Sequence, residues 1–310
     1  MSDPIYLDYA ATTPVDPAVL EAMMPHFGEN FGNPSSIHRW GRNAEKVIEQ
    51  ARRDVAAVLN CEPNEVIFTS GGTESDNYAL RGVAHAMREA GRGNHLITTA
   101  VEHHAVLHTA RQLAEHYNFD LTILPVDDCG CVRLSDVEAA IRPDTILISV
   151  MVANNEIGTI QPVAEIAALA RSRGILTHTD AVQAASQLDV DVQKLGVDML
   201  AIGAHKFYGP KGVGALYVRK GTPLISTQTG GAHEQGRRAG TSNVPYIAGL
   251  AAALKLTAAR READNARYRR LRDRLISAIT QIPEARLTGH PTERLPNNAS
   301  FIFRNIDGNE

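Results

Sequence analysis

Between residues 65 and 219 short apolar, β-patterned runs alternate with helix-patterned stretches, and no other feature constrains the fold as tightly. The runs fall at 65–68, 95–99, 121–126, 145–152, 175–180, 199–203 and 215–219. Helices are expected between them: one from the glycine turn after residue 69 through Met87, one ending at Tyr117, a short one opened by the capping box Ser135-x-x-Glu138, and one over 162–173 stopped by Gly174. Strands joined by helices build a mostly parallel sheet covered on both faces, so the class is α/β and ligands should gather at the carboxyl ends of the strands.

The flanking parts read differently. A helix is expected over 44–59, where Ala44, Val47, Ile48, Ala51, Val55 and Leu59 recur at helical spacing, and a long Ala- and Arg-rich one over 248–279. After it Pro283, Gly289, Pro291 and Pro296 break the pattern, and a strand at 298–303 begins with little chain left to pair it before 307–310. A chain of 310 residues exceeds what one core usually holds, which calls for a main domain with a smaller appended piece.

Net charge is −4 with cations scattered among acids, so no nucleic-acid-binding face is expected. The start MSDPIYLDYA lacks a secretory pattern and the longest apolar run, at 146–153, is too short to cross a membrane, making the cytoplasm the expected location. Cys61, Cys129 and Cys131 are too few for a disulfide framework, and Cys129-Gly-Cys131 lacks the other half of a zinc site.

Chemistry concentrates in the segment AIGAHKFYGPKGVGAL, residues 201–216, which holds Lys206 on a turn that neither helix nor strand tolerates. Lys206 is either a solvated or phosphate-contacting cation, or a buried amine of lowered pKa able to form a Schiff base. The strand–glycine–helix passage TSGGTES at 69–75 aims free N–H groups and a helix dipole at one point, which suits a phosphate; the plain alternative is a capped turn. Asp180 ends a strand and is suited to hold a pyridine nitrogen protonated, with Gln183 nearby for a ring hydroxyl; alone, such an Asp more often caps a turn. His103 is read as a core residue or as a ring-stacking proton carrier, and His104 and His108 stand at i, i+4 without the carboxylate that would complete a metal motif; no metal is expected. Asn154 and Asn155 either fix a ligand carboxylate or close a turn, and the loop 230–241 carries adjacent arginines that suit an anion or another subunit.

The strings YLDYAATTPVD, FGNPSS, FTSGGTESDN, EHHAV, NNEIG, DAVQ, HKFYGPKG and GGAHEQGRRAGTSNV, in this order, resemble the cysteine desulfurases of the NifS and IscS type, class-V aminotransferase-like enzymes that use pyridoxal 5′-phosphate. The resemblance implies a type I fold with a seven-stranded sheet, a large domain over 15–257 and a small α+β domain from 1–14 and 258–310. It implies that Lys206 links to the coenzyme and takes the substrate Cα proton, and that Asp180 pairs with the ring nitrogen and Gln183 with the ring oxygen. His103 stacks on the ring; Gly72, Thr73 and His205 hold the phosphate; Thr241 reaches the phosphate of a neighbouring subunit; Asn155 meets the substrate carboxylate. The implied partners are L-cysteine, a second copy in a homodimer, and sulfur-acceptor or iron–sulfur scaffold proteins.

Two departures from the family pattern stand out. Gly203 replaces the usual serine three residues before the lysine, and the family's nucleophilic Cys and carboxylate-binding Arg belong to a region after residue 310, so the expectation is a truncated form that cannot build a persulfide on itself. A selenocysteine lyase or other class-V lyase, and a non-catalytic dimeric scaffold, are the remaining readings.

Overall fold

A computed structural model describes residues 5–306. Residues 1–4 and 307–310, the last of which the sequence reading made the end of an unfinished β-element, lie outside the described residues.

Helix α1 (Pro17–Met23), capped by the Asp16 side chain, is followed by α2 (Arg39–Leu59), whose apolar face carries Ala44, Ile48, Ala51, Val55 and Leu59 and which ends on Asn60 at φ 56°. Then come β1 (Val66–Thr69), α3 (Gly72–Glu89), β2 (His95–Thr99), α4 (His104–Tyr117), β3 (Asp120–Leu124), α5 (Leu134–Ala140), β4 (Thr145–Ser149) and α6 (Val163–Ser172). The series continues with β5 (Leu176–Asp180), α7 (Val192–Leu195), β6 (Met199–Gly203), β7 (Gly214–Val218), α8 (Val244–Ile279), β8 (Ala285–Leu287) and β9 (Phe301–Phe303).

Seven strands form one sheet in the order β1-β7-β6-β5-β4-β2-β3, with β7 antiparallel to both neighbours and the remaining pairs parallel. Period-2 alternation sorts the core. Leu200 and Ile202 of β6 pack with α1, α2 and the first turns of α8 on one face, while Met199 and Ala201 pack with α3 and α4 on the other. Each such buried aliphatic side chain contributes roughly 1.5–3 kcal/mol. The mostly parallel, doubly covered sheet of the sequence reading is the one observed.

Three local expectations need correction. Ser135 does not open its helix: α5 begins at Leu134 with Arg133 at the cap position and no side-chain cap bond, so Ser135 lies inside the first turn and its hydroxyl turns to Asp136. The stretch broken by prolines contains a strand, β8, that pairs with β9 from Ala285↔Phe303 to Leu287↔Phe301, so the last β-element is not left without a partner. Pro283 and Pro296 flank these strands and do not prevent them, because they sit outside the ladder. Finally, α7 was absent from the sequence reading; four residues are too few to show a period, and its markers are the caps, Asp191, whose side chain accepts from the Gln193 and Lys194 N–H groups, and Gly196 at φ 71°.

Beyond its buried start, α8 runs exposed on most sides, and Arg294 ties the piece after it back to the sheet. That guanidinium, buried, donates to the carbonyls of Thr288, His290, Asn298 and Ile157, and thereby clasps the turn that carries Asn155.

Candidate active site

The segments that follow β1, β2, β4, β5 and β6 converge on one cavity of about 560 Å³. From the end of β1 come Ser70, Gly71, Gly72 and Thr73; from β2, His103; from β4, Met151 and Asn155. Strand β5 supplies Asp180 and Gln183, the turn after β6 supplies His205 and Lys206, and the N-terminal segment closes over them with Ala11 and Thr12. The structure therefore brings Gly72, Thr73, His103, Asn155, Asp180, Gln183, His205 and Lys206 together. Thr241 stands apart, in an adjoining hollow of about 160 Å³ whose wall shares Ser70, Gly212 and Val213 with the first.

Lys206 ends a single 3₁₀ turn, Ala204–Lys206, pinned where the Thr13 hydroxyl donates to the His205 carbonyl at 3.0 Å and the Tyr208 N–H donates to Thr13 Oγ1 at 2.8 Å. Its Nζ donates to the Ala10 carbonyl. Burial lowers the pKa of this amine, although Asp180 and Asp8 pull the other way. That partly buried placement in the cavity wall supports the reading of Lys206 as an amine of lowered pKa. His205 is likewise held below its usual pKa, by burial and by the positive charges of Lys206 and Lys211.

Asp180, 6% exposed, receives the Val182 N–H at 2.8 Å; burial raises its pKa, while that hydrogen bond, His103 and Lys206 oppose the rise. Gln183 is buried beside it with Oε1 lacking any hydrogen-bond partner. His103 caps α4 through Nδ1, which accepts the Ala105 N–H at 3.1 Å, and this fixes its ring at the cavity mouth. His104 and His108 stack on each other, centroids 4.7 Å apart, on the exposed side of α4 and outside the cavity lining.

At the other end α3 begins on Gly71 with no side-chain cap, leaving its first N–H groups directed into the cavity end. A Cβ at Gly72 would meet Val182 Cγ2 at 2.4 Å, so any side chain there requires Val182 to shift. The nearby carboxylate of Glu74 is occupied elsewhere: despite burial its pKa is lowered, because Arg238 binds it at 2.9 Å and the Ser70 N–H donates to it. A Cβ at Gly203 would stand 3.3 Å from the Gly72 N and from Val182, so a side chain at 203 adds a group only by pressing on this same turn.

The two asparagines divide their roles. Asn154 closes its own turn, accepting the Glu156 and Ile157 N–H groups and donating to the Val101 carbonyl, whereas Asn155 lines the cavity.

Residues 5–310 match the family model described as aminotransferase class-V. The chain belongs to that family. Within it, a relative named cysteine desulfurase IscS from Methanosarcina thermophila is 52% identical over 304 residues, covering 98% of this chain and 74% of the relative. A structure titled NifS-like protein superposes with a TM-score of 0.95 at 40% identity, covering 98% of this chain and 83% of that one. A third, titled SspA in complex with cysteine, matches at TM-score 0.78 and 44% identity over 81% of this chain and 72% of that one. This class-V chain is one of the IscS-type cysteine desulfurases by descent, and the family's coenzyme is pyridoxal 5′-phosphate. The residues present fit that group: an unpartnered buried amide oxygen on Gln183, a buried acid near it, an amine of lowered pKa, and a helix start left without a side-chain cap.

Sequence reasoning passed over three buried groups behind this class-V site, Asp76, Glu102 and His178. Glu102 Oε1 accepts from Thr99 Oγ1 and the Met151 N–H, both at 2.9 Å, while Oε2 has no partner, and burial pushes its pKa up to about 8. A carboxyl raised from 4.5 holds a proton that the unfolded chain has already released. Its stabilising contribution is complete below pH ~4.5 and is lost as pH climbs through about 8. Glu102→Gln, which copies the neutral acid, is expected to match the parent below pH ~4.5 and to exceed its stability by roughly 5 kcal/mol at pH ~9. Thermal melts of both proteins across that range check it; equal melting temperatures at pH ~9 count against a neutral Glu102.

Proposed function

We propose that this chain binds pyridoxal 5′-phosphate at Lys206 and converts L-cysteine to L-alanine, handing the sulfur to a thiolate. The observation that carries the reading is the meeting, in one cavity, of the Lys206 amine with buried Asp180 and the partnerless Gln183 oxygen. When bound, the coenzyme supplies an electron sink that weakens the substrate Cα–H bond.

The remaining work belongs to the protein. Lys206, its pKa lowered by burial, would hold the coenzyme through Nζ and would serve as the base that takes the substrate Cα proton. Asp180 would hold the ring nitrogen and keep a proton there, and Gln183, whose Oε1 has no partner, would hydrogen-bond the ring hydroxyl. The first N–H groups of α3, Thr73 and His205 would hold the phosphate, His103 would serve the ring and carry protons, and Asn155 would meet the substrate carboxylate. Attack by the acceptor thiolate on the substrate sulfur would form an S–S bond and break the Cβ–S bond, the electron pair going to the carbon skeleton; Cβ would take a proton to become the alanine methyl, and the proton held by Lys206 would return to Cα.

Two copies complete the site in this reading, Thr241 of each serving the phosphate of the other. Its support is the exposed apolar series Phe31, Ile37 and Trp40, together with the separation of Thr241 from its own chain's cavity. The domain division at 15–257 against 1–14 and 258–310 belongs to the same proposal. Its support is that the fully buried core residues of α8 end at Leu254, Leu256 is the last of its residues packed against that core, and Asn265 is the only buried residue of the helix beyond.

Solvent exchange tests the reading without requiring sulfur transfer. With coenzyme present in D2O, the protein is expected to exchange the Cα hydrogen of L-cysteine for deuterium, read by proton NMR. A protein that acquires no visible coenzyme absorption and catalyses no exchange overturns the proposal.

The thiols of this chain are poor sulfur acceptors. Burial and the charges of Glu65 and Glu62 push Cys61 up to about 12, burial and Asp127 raise Cys131, and none of the three cysteines lines the cavity. After incubation with L-cysteine and coenzyme, mass spectrometry is expected to find no added sulfur on Cys61, Cys129 or Cys131. A persulfide on any of them, with matching alanine, would contradict this.

A further inference from the structure

Asp180 is not alone in its corner. Asp76, early in α3, is 1% exposed and lines the same cavity, and its Oδ1 has no hydrogen-bond partner. An oxygen of Asp76, an oxygen of Asp180 and a ring nitrogen of His103 all lie within 4.8 Å of one another. On the far side, His178 Nε2 sits 3.5 Å from Asp76 Oδ1, while Nδ1 pairs with Ser149 Oγ at 2.9 Å. Burial depresses the pKa of that imidazole to about 3, so it is neutral and offers Asp76 no compensating charge.

The charges facing Asp76 come from every side of the corner: Asp180 and neutral His178 from β5, Glu102 and His103 from the turn after β2, and Lys206 from the turn after β6. Two carboxylates this close in a dry site do not both ionise; they hold one proton between them. The surroundings decide which one keeps it. Asp180 accepts the Val182 N–H and is stabilised as an anion by His103 and Lys206. Asp76 has no hydrogen-bond donor to Oδ1, and burial and the Asp180 charge both favour its neutral form.

We propose that Asp76 is a positioning residue of the coenzyme site: it carries the proton of the buried acid pair, so that Asp180 alone holds the negative charge facing the ring nitrogen. Were Asp76 ionised, its like charge would drive a proton onto Asp180 and remove the anion that keeps the ring nitrogen protonated. The role rests on the coenzyme reading above, but the proton itself does not, and this separates the two tests.

Infrared spectra of the coenzyme-free protein read the proton directly. In a Glu102→Gln background, which removes the other neutral acid, a protonated-carboxyl C=O stretch is expected at neutral pH and is expected to vanish on adding Asp76→Asn. Ionised carboxylate bands in that difference overturn the proposal, and the Glu102→Gln spectrum alone decides it should the second substitution fail to fold: a missing C=O stretch there also overturns it. Titration with pyridoxal phosphate, followed by visible absorption, gives the second readout. Asp76→Ala is expected to weaken binding about tenfold by admitting water beside Asp180, and Asp76→Asn, the shape of the neutral acid, to restore most of it. An Asn variant as weak as the Ala variant overturns the positioning role. A parent protein that never binds the coenzyme overturns the functional reading, with the infrared result still standing.

Discussion

Lys206→Ala is expected to abolish the visible absorption of bound pyridoxal phosphate and to slow Cα–H exchange of L-cysteine by at least ~10²–10⁴-fold, the range typical of a lost general base. The same substitution is expected to leave the coenzyme-free fold as stable as before. Burial disfavours the charged form of this amine, so removing it relieves a desolvation cost that offsets the lost hydrogen bond to the Ala10 carbonyl. Lys206→Arg separates charge from nucleophilicity, because a guanidinium stays protonated and forms no carbon–nitrogen link to an aldehyde. If the Ala variant keeps both the absorption and the exchange, Lys206 is not the attachment point. Unfolding in place of selective loss would show in circular dichroism.

The second large effect lies in the loop that carries Thr241. Arg52 of α2 and Glu234 are both buried, joined by two hydrogen bonds of 2.6 and 3.1 Å; Arg52 also donates to the Val66 carbonyl at 2.7 Å, and Glu234 accepts the Phe68 N–H at 3.0 Å. Burial alone would depress the guanidinium pKa, yet hydrogen bonding and attraction to Glu234 raise it, the sign of a well-compensated pair. Arg52→Met leaves Glu234 as a buried charge without a counter-ion and is expected to cost about 3–5 kcal/mol. At roughly 2–4 °C per kcal/mol for a domain of this size, the melting temperature should fall by about 10 °C. Arg52→Met with Glu234→Leu removes both charges and is expected to regain part of the loss, though not the bond to the Phe68 N–H. A single variant that melts with the parent would show that Glu234 is neutralised by other means. Because Glu234 and Gln235 both adopt left-handed φ values of 48° and 59°, the loop holds its path only while this pair anchors it. Thr241 and the Arg238–Glu74 pair should loosen together with it.

The loop shows where legibility ended. Its glycines and adjacent arginines suggested an anion or another subunit, yet Arg238 is spent on Glu74, and Glu234, which carried no signal in the sequence, is the anchor. A buried ion pair between residues 52 and 234 leaves no local trace, because each partner's burial is decided by elements far apart in the chain. Strand β8 was hidden for a related reason: three residues flanked by prolines become a strand only when β9 arrives beside them. Asp76 and His178 sit in patterns that read as an ordinary helix start and an ordinary strand, and come together beside Asp180 and His103 only where β1, β5 and the turn after β2 converge.

What the chain's order of residues determined by itself was local: apolar runs of period two, helices of period 3.6, the glycine passage before α3 and the rigid turn bearing Lys206, each dictated by backbone sterics or by one face seeking burial. From those the parallel sheet and the carboxyl-end location of the site followed. Only the tertiary structure decided which charged groups lose their water, and with that the states of Lys206, Glu102, Asp76 and Asp180. Desolvation and the Coulomb energy between neighbours depend on distances and dielectric surroundings that exist only once the chain is folded.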